Sequence, residues 1–131
     1  MKVFQYSISP DISTKGEWIQ LGQSIDGEGG NSLGAVDISA DGKVLVVAAP
    51  KYNYNSGITK VYMFDENEED SNGGTWVQVG EGLVGESSGD YSGQRAGLRI
   101  SGSGCSIIIG SRKNDGNGNN SGSVRVFSLC S

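Results

Sequence analysis

The sequence predicts an all-β protein made of repeated units, and three observations support this prediction. The phrase "WIQLGQSIDGE", which begins at Trp18, returns as "WVQVGEGLVGE" at Trp76. The 131 residues include 22 glycines but only 2 prolines, a composition typical of many tight turns. Several short runs are aliphatic or β-branched, and no segment shows a convincing helical period. A chain of this length is sufficient for one domain of ordinary size.

The two repeats keep one order of landmarks. Each has Trp, then Gly-Glu, then Ile-Ser with a glycine turn, an aliphatic run, a polar loop ending in Ser-Gly and a β-branched run. The tryptophans are 76 − 18 = 58 residues apart, and the Ile-Ser pairs are 100 − 38 = 62 residues apart. The longer loop "ESSGDYSG" in the second copy accounts for this difference. Strand repeats of roughly 40 to 60 residues indicate a radial or stacked β architecture.

Each repeat predicts four kinds of strand. The short runs "GAVDIS" and "GLRIS" come first, followed by "VLVVAA" and "SIIIG", whose continuous apolar character indicates strands covered on both faces. The runs "TKVYMF" and "VRVFSL" alternate more, and "MKVFQYS" is a partial third copy of them. The tryptophan phrases "WIQLG" and "WVQVG" suit an outer strand with one wet face. The acidic run from Asp65 to Asp70 is predicted to be a solvated loop.

Four strands joined by short glycine turns form the meander of a propeller blade. We therefore predict a partial β-propeller of about two blades, with four-stranded antiparallel sheets, over residues 1–131. Residues 1–28 would form the last strands of a preceding blade, 29–86 one complete blade, and 87–131 three strands of a further blade. Because a blade buries both faces against its neighbours, two blades would leave apolar flanks open.

The landmarks resemble the FG-GAP, or integrin-α-like, β-propeller repeat, with the pattern W-x-Q-x-G…G-E…I-S-x-x-G…N-x-x-S-G-x-V-x-V-F. The matching segments are Trp18 to Glu28, Ser39 to Gly42, Ala48 to Pro50, and "NDGNGNNSGSVRVF". The resemblance covers nearly the whole chain, whereas kelch and WD40 patterns match less well. It implies a non-enzymatic binding or adhesion scaffold with a protein or carbohydrate ligand, within a larger extracellular or cell-surface protein.

Two repeat lengths are too few to close a propeller ring, and three interpretations stay open. The chain is a fragment of a longer propeller, or copies assemble into a homo-oligomer through their open blade flanks, or it stands alone with a flank blunted by polar residues. For assembly, the "WIQLG" strand of another copy would supply the fourth strand that the C-terminal blade lacks.

Catalysis is disfavoured by composition. The chain has no histidine, which removes the commonest general base. Asp26 and Glu28 are matched by Val84 and Glu86 in the other copy, so the carboxylates do not recur as a pair. A carbohydrate-active enzyme on a propeller is therefore the least favoured alternative function.

The cysteines Cys105 and Cys130 open one predicted strand and end the next. If these strands form a hairpin, the two residues lie nearly opposite, where the first copy has Lys43 and Asp65. Two interpretations stay open at this point, namely a disulfide that staples the hairpin in an oxidising compartment, and a pair of free thiols.

The loop "DGNGNN" carries the candidate metal ligands. Asp115, Asn117 and Asn119 alternate like the start of a calcium loop, but a late carboxylate is missing. A glycine-asparagine turn that holds no metal is the favoured interpretation, and we expect no cofactor.

Tyrosines carry the general binding signal. Tyr52, Tyr54 and Tyr91 lie in predicted loops, where aromatic side chains often contact a sugar or a peptide. In the alternative interpretation the loops pack their own tyrosines over a blade edge.

Charge and hydropathy argue against two further partner classes. Lys and Arg total 10 and Asp and Glu total 15, so the net charge is −5, and the scattered cations disfavour a nucleic acid. No apolar run approaches the roughly 18 to 20 residues of a membrane span. The opening "MKVFQYSISP" also lacks the apolar core of a signal peptide.

Overall fold

The computed structural model describes residues 1–8, 15–67 and 73–130. The strands in this part of the chain are β1 (Phe4–Ser7), β2 (Glu17–Gln20), β3 (Val36–Ile38), β4 (Val44–Ala49), β5 (Ile58–Asp65), β6 (Thr75–Gln78), β7 (Leu83–Val84), β8 (Leu98–Ile100), β9 (Ser106–Ser111) and β10 (Ser123–Ser128), with one helical turn, α1 (Tyr52–Asn55). The described sheets are antiparallel and none is closed, so the predicted all-β antiparallel class is confirmed.

Contacts divide the chain into two compact units. The first comprises Met1–Asp26 and Phe64–Val77, and the second comprises Gly27–Met63 and Gln78–Ser131. Among the described residues, no helix has the length and apolar character needed to cross a membrane. The acidic run predicted as a loop starts one residue late, because Asp65 still belongs to β5, and its residues 68–70 lie outside the described part.

The largest sheet takes its strands in the order β3-β4-β5-β6, which is their order along the chain. Every residue of β4 is buried, which confirms the prediction that "VLVVAA" is covered on both faces. The start of β5 also pairs with β7, with Ile58 opposite Val84. Sequence analysis missed β7, because two residues are too few to show a strand period.

A second sheet, in the order β10-β9-β8, packs against the first. Leu98 lies opposite Ile109 in this sheet, and Phe127 lies opposite Ile107. Directly opposed residues of an antiparallel pair share a face, so these four side chains point to one side. The buried apolar residues of the two sheets form one core, composed of Ala35, Val44, Val46, Ala48, Val61, Leu98, Ile107 and Ile109.

The outer face of the β8–β10 sheet is exposed. Ile108 lies opposite Val126, and Val124 lies two residues further along the same face. Their exposed fractions are 48% for Ile108, 67% for Val126 and 69% for Val124. We call these three residues the open flank. The prediction that "SIIIG" is covered on both faces is wrong for Ile108, because the core lies on the Ile107 and Ile109 side.

A carboxylate fixes the turn between β3 and β4. Asp41 accepts hydrogen bonds from the Ser39 hydroxyl at 2.5 Å and from the Lys43 amide at 3.0 Å. These hydrogen bonds hold the pKa of Asp41 below its usual value, so the carboxylate is ionised at neutral pH. Gly42 has a φ of 73°, a left-handed conformation that glycine adopts without steric cost.

The first unit is built around Trp76, whose side chain is only 3% exposed. Its indole N–H donates to the Leu21 carbonyl at 2.9 Å. The Gln23 side chain donates to the Trp76 carbonyl at 2.7 Å and accepts from the Trp76 amide at 2.8 Å. A Cβ on Gly22 would lie 2.7 Å from Trp76 Cδ1, so only glycine allows this approach. We call Leu21–Gln23 the tryptophan clasp.

Trp18 has the same local frame but no such burial. Its ring lies 5.1 Å from the Tyr6 ring, as the Trp76 ring lies 5.1 Å from the Phe64 ring. Gly16 and Gly74, two residues before each tryptophan, approach those aromatic rings closely. Even so, Trp18 is 69% exposed. The predicted equivalence of the two tryptophan strands is therefore wrong for burial, because the clasp covers only Trp76.

Truncating the two tryptophans should separate these roles. Trp76→Ala removes a buried ring together with its hydrogen bonds, so it should lower the free energy of unfolding by about 3–5 kcal/mol. Trp18→Ala, measured in dilute protein, should lower it by less than about 1 kcal/mol, since the ring is mostly solvated. Urea denaturation followed by circular dichroism measures both values, and equal losses would contradict the assignment of the clasp.

Candidate functional site

The candidate binding element is the turn at α1, which we call the tyrosine loop, Tyr52–Asn55. Its hydrogen bonds are those of a helical turn, but the backbone is left-handed, with φ of 46° at Asn53, 53° at Tyr54 and 65° at Asn55. Residues with a Cβ rarely adopt such angles, and each costs on the order of 1–3 kcal/mol. Three in succession therefore need support from the surrounding structure.

The support comes from the loop between β7 and β8. The carbonyl of Tyr54 accepts hydrogen bonds from the Ser88 hydroxyl at 2.9 Å and from the Gly89 amide at 3.1 Å. The carbonyl of Asn55 accepts from the Tyr91 amide at 2.8 Å. These bonds satisfy the outward carbonyls of the turn and lock it in place.

Glycine at the end of the tyrosine loop makes this junction feasible. Gly57 has a φ of 86°, and a Cβ there would collide with the backbone of Ser92. The Ser92 amide donates to the Ser56 carbonyl at 3.0 Å, so the two chain segments lie in direct backbone contact. Any side chain at Gly57 would force them apart and release the tyrosine loop.

The three predicted tyrosines differ in exposure. Tyr54 is 84% exposed, whereas Tyr52 and Tyr91 are half-buried. Tyr91 also has a positive φ, 52°, and the Lys113 ammonium lies 4.9 Å from its ring centre, in cation–π contact. The structure brings the segments of Tyr54 and Tyr91 side by side and leaves the Tyr54 ring as the accessible surface.

A buried polar cluster holds the supporting loop. Asp90 is buried, and its carboxylate accepts hydrogen bonds from the Ser87 amide at 3.0 Å and the Asn114 side chain at 2.9 Å. Asn114 also donates to Glu86 at 3.0 Å. Sequence analysis missed these residues, and the only signal was the longer "ESSGDYSG" loop of the second copy.

The predicted metal ligands lie in an exposed turn that is closed by its own hydrogen bonds. Asp115 accepts from the Asn120 amide at 2.6 Å, the Asn117 amide donates to the Ser121 hydroxyl at 3.3 Å, and the Asn119 side chain accepts from Asn120. Within residues 1–8, 15–67 and 73–130, no three His, Cys, Asp or Glu side chains are grouped so that they could hold a metal ion. The calcium interpretation stays a prediction.

The carboxylates considered for acid–base chemistry contact cations. Asp26 lies 4.0 Å from the amino terminus of Met1, and Glu28 lies 3.6 Å from the ammonium of Lys60. Both contacts are solvent-exposed ion pairs, which hold carboxylates ionised and contribute little energy.

An open cleft lies beside the paired ends of β9 and β10. Its volume is about 620 Å³, and it is lined by Gln94, Gly97, Gly110, Ser111, Arg112 and residues 121–124. Arg112 Nε donates to Gln94 Oε1 at 2.6 Å, so the guanidinium already has a protein partner. Glycine and serine make up most of the lining, so the cleft offers little chemistry for specific recognition.

Cys105 and Cys130 form a disulfide, so the bridge interpretation is confirmed over the free thiols. The Leu129 amide donates to the Cys105 carbonyl at 2.8 Å, which continues the β9–β10 ladder and brings the two Cα atoms within 5.0 Å. The bridge ties β10 to β9 and is compatible with an extracellular location.

Comparisons with protein-family models, with curated proteins and with solved structures found no match. The FG-GAP resemblance therefore remains a hypothesis that depends on the sequence landmarks.

Removing the disulfide should destabilise the chain. The bridge closes a separation of 25 residues, for which the loop-entropy estimate is about 3 kcal/mol. The double variant Cys105→Ser with Cys130→Ser should therefore lose about 3 kcal/mol of unfolding free energy in urea denaturation. The wild-type chain in reductant should match it, and a loss below about 1 kcal/mol would show that the bridge adds little to the hairpin.

Proposed function

We propose that the chain is a non-enzymatic binding scaffold of the propeller type, and that the tyrosine loop is its recognition surface. The exposed Tyr54 ring on a locked left-handed turn is the observation that supports this proposal. Backbone strain that tertiary contacts sustain is commonly found where a protein binds a ligand. Here the strain serves to present an aromatic ring.

A fixed aromatic ring is an economical contact for a ligand. Tyrosine has few rotatable bonds, so its ordering costs little entropy on binding. The hydrogen bonds from Ser88 and Gly89 fix the Tyr54 backbone before any ligand arrives. Preorganisation of this kind raises affinity by reducing what must be ordered in the complex.

Carbohydrate is the ligand class that this surface suits best. The Tyr54 ring offers a flat apolar face for a sugar ring, and the exposed amide of Asn53 and hydroxyl of Ser88 offer hydrogen bonds to its hydroxyl groups. A flat aromatic face beside a few polar groups is typical of small-ligand recognition. The protein ligand implied by the FG-GAP resemblance is the alternative that the experiment must separate.

The propeller assignment is supported by the arrangement of the sheets in the second unit. Strands that follow one another in the chain are neighbours in each sheet, and the two sheets pack face to face through one apolar core. Repeated strand units stacked in this way suit a scaffold, with its loops free for recognition. We infer that this scaffold acts in an extracellular setting, as part of a larger adhesive protein.

Binding to a glycan array and to a peptide array tests the proposal. Tyr54→Ala should weaken glycan binding at least about tenfold, the loss expected when a central aromatic contact is removed. Tyr54→Phe should retain most of the binding if the ring face makes the contact. Tyr6→Ala, which truncates another exposed tyrosine, is the matched control and should bind normally.

The possible outcomes separate the ligand classes. Peptide binding that depends on Tyr54 would support the scaffold but replace carbohydrate with protein as its ligand. Glycan binding that survives Tyr54→Ala would place recognition elsewhere on the chain. Hydrolysis of a bound glycan would overturn the non-enzymatic assignment.

A further inference from the structure

We propose that Val79–Glu81 and the edge of β10 form a docking site for the segment Glu17–Gln23 of a second copy of this chain. The proposal is independent of the ligand that the tyrosine loop binds. It follows from comparing two copies of one phrase, of which the first contacts a tryptophan and the second does not.

Val79–Glu81 is the counterpart of the tryptophan clasp. The counterparts Gly22 and Gly80 have nearly the same backbone, with φ of 69° and 63°. Each segment is also anchored in the same way. The Leu21 amide donates to the Val3 carbonyl at 2.8 Å, and the Val79 amide donates to the carbonyl of its counterpart, Val61, at 2.8 Å. The second clasp is therefore already in the conformation that holds a tryptophan.

The two clasps differ in what lies against them. A Cβ on Gly22 would strike Trp76, whereas no described atom lies within 4 Å of a Cβ position on Gly80. Trp18 is correspondingly exposed, although it has the same glycine and aromatic neighbours as Trp76. Each chain thus has one clasp with an open surface and one exposed tryptophan, and a head-to-tail contact would pair them.

The edge of β10 provides backbone for the same docked segment. β10 is the outer strand of its sheet, and Val126 is the counterpart of Val3 and Val61, by 126 − 65 = 61. In a docked pair, the Leu21 amide of the second copy would donate to the Val126 carbonyl. β2 would then lie beside β10 as an added strand, a common mode of association at sheet edges.

This docking requires β2 to exchange β1 for β10. β1 pairs with β2 over four residues, from Phe4↔Gln20 to Ser7↔Glu17, and every residue of β1 is exposed. A two-stranded sheet of this kind is only marginally stable in water. β10 cannot yield its place so easily, because the Cys105–Cys130 bridge ties it to β9.

The apolar surfaces agree with the same head-to-tail direction. Ile108 and Val126 of the open flank are the counterparts of Val46 and Val61, which the next sheet of the chain covers completely. The face of β3 carries Val36, which is 49% exposed. Its counterpart, by 98 − 62 = 36, is Leu98, a residue of that covering sheet. The β3 face of a second copy would therefore cover the open flank of the first.

A contact of this kind joins two different surfaces, so it generates rings or open filaments rather than closed two-fold dimers. Sedimentation velocity over a range of protein concentrations measures it directly. The wild-type chain should form assemblies larger than a dimer as its concentration rises. Trp18→Ala should weaken this association at least about tenfold, since it removes the central aromatic contact.

Two glycine variants provide a matched pair. In the free chain, both Gly80 and Gly42 have a left-handed backbone and open space around the Cβ position, with φ of 63° and 73°. Alanine at either position should therefore cost the fold a similar amount. Only Gly80→Ala places a methyl group against the docked tryptophan, so it should abolish association while Gly42→Ala leaves it unchanged.

Glu81 allows a test by gain of function. Gln23 both donates to and accepts from the Trp76 backbone, whereas a carboxylate at Glu81 can only accept. Glu81→Gln restores the donor, so association should become about fivefold tighter, the gain expected from one hydrogen bond. No gain in this variant would contradict the clasp geometry.

Two results would overturn the proposal. One is a wild-type chain that sediments as a monomer at every concentration, which would assign the second clasp to a different occupant. The other is association that Trp18→Ala and Gly80→Ala leave within about twofold of wild type, while far-ultraviolet circular dichroism shows both variants folded.

Discussion

The burial of β4 between its neighbours is the constraint on which the second unit depends. All six residues of this strand are buried, and those facing the β8–β10 sheet share one core with Leu98, Ile107 and Ile109. Each such side chain gains roughly 1.5–3 kcal/mol from leaving water, which is the main favourable contribution to folding available to a glycine-rich chain. A strand that is apolar on both faces needs a layer on each side. The same requirement makes the exposed open flank unusual for a surface that remains in solvent.

The repeat shows how little a local phrase decides about its environment. Both tryptophans follow a glycine that packs on an aromatic ring, and both are followed by a glycine with positive φ. One tryptophan is nevertheless a core residue and the other is on the surface, because only one has a clasp from the preceding copy. In repeat proteins a unit is stabilised by its neighbours, so identical phrases differ in burial at the ends of an array.

Loop conformation in the second unit is set by bonds between loops rather than by each loop alone. The left-handed turn at Tyr54 is unfavourable by itself, and it persists because the next loop donates to its carbonyl groups. That loop is held in turn by Asp90 and Asn114, whose polar atoms are buried but hydrogen-bonded to each other. A buried polar pair that is fully satisfied rigidifies its surroundings, which is what a surface that presents a fixed ring requires.

The sequence by itself determined the strands, their order in the sheets and the opposition of the two cysteines. Apolar period, glycine turns and the repeat offset are local properties, and they are legible without coordinates. Only the tertiary structure decided which face of β9 is covered, which tryptophan is buried and that Tyr54 sits on a left-handed turn braced by Ser88. These features depend on partners distant in the chain. A hydrogen bond or packed face joins residues whose separation leaves no periodic trace in the sequence, so they become visible only when the folded chain brings the partners together.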